Sequence, residues 1–326
     1  MYDVIAVVGP TASGKSSLAF EIAKKHNGEI VSCDSMQIYR EMDIGTAKAT
    51  QAERSEIVHH MTDLVLPNVK YSCSDYARDA SAAIDDIISR GKLPIICGGT
   101  GLYLDALLFG SGTADIELDE DYAKKLEEIS KKDGGREKLH LMLCEIDPKA
   151  AEEIHMNNVK RVIRALVINH CTKMTKAEWN KKSTEKGARY NALIIGLNYL
   201  NREELYRRIE SRVDEMIKDG LVEETKRLYE NGYLSSEYTA AQAIGYKEIL
   251  PCVKGEADLA DCALMLKIAT RRYAKRQLTW FSKYREINWI SPDESEFYGK
   301  NKEKTFEDIV NNAEKLFINC KKCSII

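Results

Sequence analysis

Gly9 to Ser16 reads GPTASGKS, and the fold is decided there. The spacing is G-x-x-x-x-G-K-[ST], a loop whose backbone N–H groups cradle phosphates. Its flanks supply the context such a loop requires. Tyr2 to Val8 (YDVIAVV) is a short apolar, β-branched run of strand type. Ser17 to His26 (SLAFEIAKKH) places Leu18 and Ile22 four residues apart, as on one helix face. Strand, glycine-rich loop and helix together aim a helix N-terminus at an anion. Gly9 and Gly14 allow the loop's backbone angles. Gly9, Thr11, Ala12, Ser13, Gly14, Lys15 and Ser16 are the expected phosphate-binding set, with Lys15 reaching the phosphates and Ser16 holding Mg²⁺. A glycine-rich turn without a ligand would need neither flank. The loop by itself leaves kinase, ATPase and diphosphate-handling transferase open.

Length and composition bound the rest. The 326 residues suffice for one large domain or two smaller ones. Hydrophobic residues at 44% and charged residues at 30% are ordinary for a globular protein. With a net charge of −3, any nucleic-acid surface must be local rather than global. The sequence enters its first strand at once, so no secretory signal is expected. No apolar run approaches a membrane span, so a cytoplasmic protein without membrane contact is expected. The nine Cys are scattered, several inside apolar segments (Cys97, Cys144, Cys171), and free thiols are expected. Cys320 and Cys323 form a C-x-x-C, but a zinc site needs a second ligand pair and none is near.

Farther along, Glu29 to Cys33 (EIVSC) reads as a second strand ending in Asp34-Ser35-Met36-Gln37. Ligands of open α/β sheets sit at the carboxyl ends of strands, which puts Asp34 on the edge that carries the phosphate loop. Asp-Ser is also common turn chemistry. His59-His60-Met61-Thr62-Asp63 has no third ligand spaced for zinc and is taken as loop or structural. Asp75 to Arg90 has the spacing of an amphipathic helix, closed by Gly91. Leu93 to Cys97 (LPIIC) is a buried-strand pattern running into Gly98-Gly99-Thr100-Gly101, again strand, tight turn and helix. Thr100 is placed to exchange a hydrogen bond at the same edge. From Ser111 to about Lys186 the strand alternation is lost, and helices are expected over Asp121 to Lys132 and Asp147 to Cys171. Ala192 to Asn198 (ALIIGLN) reads as a strand returning to the sheet, followed by helices over Arg202 to Asp219 and Leu221 to Glu230. Arg271 to Arg285 (RRYAKRQLTWFSKYR) has six basic residues, four aromatics and no acid. Charges hold nucleic-acid phosphates and rings stack on unpaired bases, although a basic face can equally be solvated and its aromatics core.

Taken together the motifs resemble the tRNA dimethylallyltransferases. The stretches are GPTASGKS (Gly9 to Ser16), SCDSMQIYREMDIGTAK (Ser32 to Lys48), YSCSDYARDA (Tyr71 to Ala80), GGTGLYL (Gly98 to Leu104), NNVKRVIRAL (Asn157 to Leu166), AIGYKE (Ala243 to Glu248) and AKRQLTWF (Ala274 to Phe281). They occur in the family's order from Val4 to about Phe281 and fade in Ser111 to Asp133 and after Trp289. No counterpart of the eukaryotic members' C-terminal zinc finger follows in this sequence, so the bacterial type is expected.

The resemblance implies an α/β fold: a P-loop NTPase-like parallel-sheet core over 1–113 and 191–326, a helical insertion domain over 114–190, and a helical C-terminal region. It implies transfer of dimethylallyl from dimethylallyl diphosphate to the exocyclic amine of the adenosine 3′ of the anticodon in tRNAs reading U-starting codons. By the same resemblance Asp34 is the base, Thr100 positions the amine, and Lys15, Arg212 and Mg²⁺ on Ser16 hold the diphosphate. Asp34, Ser35, Met36, Gln37, Thr100, Lys160, Arg161, Arg164, Gln242, Gly245, Lys247, Lys275, Arg276, Gln277 and Trp280 face the tRNA, and the insertion grips the anticodon stem-loop. A monomer is expected. A small-molecule P-loop kinase would explain the loop and Asp34 but not the basic strip. An RNA-binding ATPase would explain the strip but leave Gly98 to Gly101 and Asp34 without a role.

Overall fold

The VIAVV run forms strand β1 (Val4–Val8), and all five of its side chains are buried. This follows from its place in the sheet, seen in a computed structural model that describes residues 2–110, 119–184 and 187–323. β1 pairs on one side with β4 (Leu93–Gly98), Ile5 opposite Ile95, and on the other with β5 (Ala192–Leu197), Val7 opposite Ile195. Beyond β4 lie β2 (Gly28–Ser32) and β3 (His59–His60), and beyond β5 lies β6 (Asn288–Ile290). The order is β3-β2-β4-β1-β5-β6, and every pairing is parallel. A parallel sheet covered on both faces needs apolar residues at consecutive positions rather than alternate ones, which is why VIAVV and LIIGL read as continuous runs. The fold is the expected P-loop NTPase-like α/β architecture.

Parallel order carries the carboxyl ends of β1, β2 and β4 to one edge. From there the chain enters α1 (Lys15–Lys25), the loop toward α2 (Gln51–Glu56), and α4 (Gly101–Phe109). Helix α3 (Cys73–Ser89) precedes β4, with Ser72 and Asp75 forming a reciprocal cap. Its Tyr76 hydroxyl donates to Ser32 O at 3.0 Å, and its ring stacks on Tyr103 of α4 at 4.0 Å.

By compactness the chain divides into two units, 1–108 with 190–326, and 109–189. In the second, α5 (Glu120–Ser130), α6 (Gly135–Ile146), α7 (Pro148–Glu153) and α8 (Val159–Thr172) enclose a core that includes Leu126, Leu139, Leu143, Val162 and Leu166, and α9 (Lys176–Thr184) packs against α8. The helix expected over Asp147 to Cys171 is two helices, because the His155-to-Asn158 stretch turns between them. Buried Asp147 caps α7 through the Ala150 N–H at 3.1 Å and takes the Lys176 N–H at 2.7 Å. The domain boundary expected at 113/114 falls outside the described residues, as do the side chains of Cys320 and Cys323.

The first unit is completed by α10 (Arg202–Lys218), α11 (Leu221–Glu230), α12 (Tyr246–Val253), α13 (Leu259–Phe281) and α14 (Lys302–Cys323). α14 and α1 cover one face of the sheet through Leu18, Ile22, Ile309, Val310 and Phe317. The basic strip is thus the C-terminal half of one long helix and its exit.

Candidate functional site

The phosphate loop leaves β1 at Gly9, whose φ is +146°, and a Cβ there would lie 2.3 Å from the Leu197 carbonyl. Ala12 adopts φ +62° and Gly14 +95°. Such angles are costly for a non-glycine residue and persist only where neighbours fix them. Two side chains do so. Arg208 Nε of α10 donates to Ala12 O at 3.0 Å. Gln277 Oε1 of α13 accepts from Thr11 N–H at 2.8 Å, while its Nε2 donates to Gly99 O at 3.1 Å.

The turn after β4 is glycine-rich for a packing reason. A Cβ on Gly98 would meet Cys33 O at 2.1 Å, one on Gly99 the Gln277 amide at 2.0 Å, and one on Gly101 the Trp280 ring at 2.1 Å. Thr100 sits among them and accepts the Ser35 N–H at 3.1 Å. Asp34 Oδ1 accepts the Met36 N–H at 2.9 Å, an Asx turn that leaves the second oxygen to the cavity.

Two cavities open at this edge. One, of about 200 Å³, is lined by Lys15, Ser16, Gln37, Cys97 and Lys48 among others. The second, of about 250 Å³, is lined by Met36, Gln242, Gly245, Lys247 and Arg276 among others. Thr11, Asp34, Thr46, Arg212 and Tyr273 line both, so the cavities meet where a carboxylate, a guanidinium and a phenol converge. Burial lowers the Lys15 ammonium's pKa, Arg212 pushes the same way, and Asp34 opposes. Arg212 is likewise lowered by burial and raised by Asp34. These are two cations desolvated before any anion arrives, which is a site built for negative charge. Burial raises the Tyr273 phenol, and the nearby Asp34 charge adds to that. Burial also pushes the Cys97 thiol up to about 11, so it faces the cavity as a neutral group.

Of the residues expected to face tRNA, Ser35, Met36, Gln242, Gly245, Lys247 and Arg276 line the second cavity, with Gln242, Lys247 and Arg276 exposed. Lys275 is exposed on α13. Lys160, Arg161 and Arg164 are exposed on α8 in the other unit. Gln277 is not surface-facing. It is 4% exposed, and its amide ties the phosphate loop to the Gly98–Gly101 turn. Gln37 is also turned inward, taking Ser32 Oγ at 2.8 Å and donating to Thr46 O and Ala47 O. Trp280 is half-buried against Gly101, with Lys283 Nζ over its ring at 4.2 Å. Two contributors were missed from sequence: Tyr273, which lines both cavities, and Arg208, which holds the phosphate loop. Tyr273 lay inside the basic strip and Arg208 four residues before Arg212, a spacing that shares a helix face. His60 belongs to edge strand β3, and its Nε2 lies 2.7 Å from Glu29 Oε2, a structural contact. Among the described residues no cluster of three or more His, Cys, Asp or Glu could hold a metal.

Proteins of similar sequence and structure identify the family. A family model described as IPP transferase matches residues 37–284, and one described as isopentenyl transferase matches residues 2–63. The chain is 49% identical over 294 residues to a tRNA dimethylallyltransferase of Acetivibrio thermocellus, covering 90% of this chain and 93% of that one. It is 46% identical over 306 residues to the protein of the same name from Caldanaerobacter subterraneus, covering 93% and 96%. Among solved structures, the full-length tRNA isopentenylpyrophosphate transferase of Bacillus halodurans superposes with a TM-score of 0.70 at 39% identity, over 100% of both chains. A eukaryotic dimethylallyltransferase acting on tRNA gives a TM-score of 0.76 at 31% identity, over 95% of this chain and 79% of that one. Identity at this level over nine-tenths of its length makes the chain a member of the tRNA dimethylallyltransferase family.

Proposed function

We propose that the protein transfers the dimethylallyl group of dimethylallyl diphosphate to the exocyclic amine of an adenosine in tRNA, the one 3′ of the anticodon in tRNAs that read U-starting codons. The observation that carries this is the junction of two cavities at Asp34, Arg212 and Tyr273. A diphosphate on the phosphate loop and a base entering past Met36, Gln242 and Arg276 would meet there. The base must leave its stack to do so.

The reaction forms a bond between the amine nitrogen and the allylic carbon and breaks the bond from that carbon to the diphosphate oxygen. Adenine's amine is a weak nucleophile because its lone pair is delocalised. The free oxygen of Asp34 takes the amine proton as the new bond forms, an effect worth on the order of 10²–10⁴-fold. Thr100, beside Asp34 through the Ser35 N–H, orients the amine. Lys15 and Arg212 stabilise the charge that grows on the departing diphosphate. Mg²⁺ suits the donors present: the exposed Ser16 hydroxyl at the loop's end and the substrate's own phosphate oxygens, since Mg²⁺ keeps waters and few protein ligands. When bound it would add Lewis-acid neutralisation of that diphosphate. Lys160, Arg161 and Arg164 on α8 supply exposed positive charge for the anticodon stem-loop. Among the described residues no helix is long and apolar enough to cross a membrane, and a cytoplasmic site of action suits a tRNA substrate.

The test incubates the protein with unmodified tRNA, Mg²⁺ and dimethylallyl diphosphate, then digests to nucleosides for mass analysis. Prenylated adenosine is expected without ATP. Dependence on ATP, or a phosphorylated product, would overturn the proposal.

A further inference from the structure

Residues 43–45 turn so that three successive backbone N–H groups converge on one point, and a distant side chain fills it. Glu224, in the first turn of α11, accepts from Asp43 N at 3.1 Å, Ile44 N at 3.0 Å and Gly45 N at 3.1 Å, using both carboxylate oxygens. The Tyr246 hydroxyl donates a fourth bond at 2.6 Å. Glu224 is 4% exposed and Tyr246 is fully buried. Converging N–H groups of this kind make an anion site; here the protein's own carboxylate occupies it, with the α11 N-terminus favouring its charge. The Tyr246 ring also packs against the turn, since a Cβ on Gly45 would meet it at 2.5 Å. From the other side Gln37 Nε2 donates to Thr46 O at 3.1 Å and Ala47 O at 3.3 Å. The turn held in this way supplies Gly45 and Thr46 to the second cavity, beside Asp34 and Arg212.

We propose that Glu224, braced by Tyr246, is a positioning residue: it fixes the 43–46 turn and so the wall past which the acceptor base reaches Asp34. The part of this that concerns the base rests on the function proposed above. A carboxylate is required because four donors need two oxygens. In Glu224→Gln the amide offers one acceptor oxygen and, in either orientation, sets its NH₂ against the Asp43 or the Gly45 N–H. Glu224→Asp keeps the charge but falls a methylene short.

The experiment compares wild type, Glu224→Gln, Glu224→Asp and Tyr246→Phe at saturating dimethylallyl diphosphate with tRNA varied, rates being expressed per site titrated with dimethylallyl diphosphate. For Glu224→Gln we expect kcat/KM for tRNA to fall about tenfold to a hundredfold, with dimethylallyl diphosphate affinity within about threefold of wild type. Glu224→Asp should not rescue it, and Tyr246→Phe should lose about threefold to tenfold, with faster exchange at residues 43–45. Amide hydrogen exchange at residues 43–45 should accelerate in both Glu224 variants while residues 9–16 keep their protection. A lowered unfolding midpoint with unchanged kcat/KM per titrated site would overturn the proposal, Glu224 then merely anchoring α11. If wild type transfers no prenyl group, the functional reading fails alone. Exchange at 43–45 still decides whether the carboxylate holds the turn, and unchanged exchange there means it does not. Should Glu224→Gln not fold, Tyr246→Phe keeps the carboxylate and the ring, and unaltered exchange and kcat/KM in it would overturn the proposal as well.

Discussion

Asp34 uses one carboxylate oxygen in its own turn, on the Met36 N–H, and offers the other to the cavity. Asparagine can keep the first contact with its carbonyl and must then present NH₂ where a base is needed. Asp34→Asn should therefore fold with an unchanged unfolding midpoint and bind both substrates, while kcat falls on the order of 10²–10⁴-fold. Single-turnover transfer with enzyme in excess checks this, and a rate within a few-fold of wild type would remove Asp34 from the chemistry. Lys15 yields a pH prediction. Its ammonium must be charged to bind the diphosphate, and burial has lowered its pKa below the ordinary 10.5. Affinity for dimethylallyl diphosphate should thus weaken as pH rises through that lowered value, earlier than an ordinary lysine would allow. Lys15→Arg, which stays charged, should bind more weakly at neutral pH because its geometry differs, yet show no such alkaline fall; isothermal titration across pH separates the two. Lys15, Asp34 and Thr100 were legible because strand-end loops announce themselves through glycine and through the order of strands. Tyr273 was not, because an aromatic inside a basic run carries no mark distinguishing a cavity wall from a stacking platform.

Helix α13 combines opposite duties on its two faces. Ala274, Gln277 and Phe281 are buried, spaced as one inward stripe, while Lys275 and Arg276 are exposed. That stripe was present in the sequence, but the apolar signal breaks at Gln277, whose burial is satisfied by hydrogen bonds. Gln277→Ala strands the Thr11 N–H and the Gly99 carbonyl and should cost about 2–4 kcal/mol of stability in chemical denaturation. The basic residues should also divide. Arg276 lines the second cavity, so Arg276→Ala should flatten the log–log salt dependence of tRNA binding by just under one unit. Lys283 is already paired with Asp105 at 2.6 Å, so Lys283→Ala should change that slope less and lower stability instead. Equal slopes for the two variants would contradict this division. Strands β3 and β6, two and three residues long, are too short to show a period, and only pairing with a neighbour makes them strands.

At the scale of the molecule, the end of the sheet away from the site carries its own electrostatic knot. Glu29, 1% exposed, takes Arg90 through two bonds at 2.6 and 2.7 Å, Lys92 at 2.7 Å and His60 at 2.7 Å. Arg90 above all holds its carboxyl far below the ordinary 4.5. A depressed carboxylate contributes stability that is complete above its unfolded value and is lost as pH falls toward the folded one. Wild-type stability should therefore decline below about pH 4.5 and keep declining to the lowest pH measured. Glu29→Gln should be less stable by about 2 kcal/mol at pH 7 and show a shallower acid decline in urea titrations at several pH values. The sheet, its phosphate loop and the helical insertion could be anticipated because hydrophobic period and glycine placement encode them locally. This knot could not, because Glu29, His60, Arg90 and Lys92 meet only once the strands are ordered.

Strand order also sets a timetable. β1 lies between β4 and β5, so it is made before either and finds its first neighbour only when Leu93 to Gly98 has followed. Its second must wait for Ala192, beyond the whole helical insertion. At about 5–20 residues per second that second wait lasts roughly ten to forty seconds. Through that interval VIAVV, a segment with the composition of an aggregation nucleus, has at least one edge of its backbone bare, and both until β4 has followed. The nascent chain must be sheltered for that long before the loop it carries can be set in place.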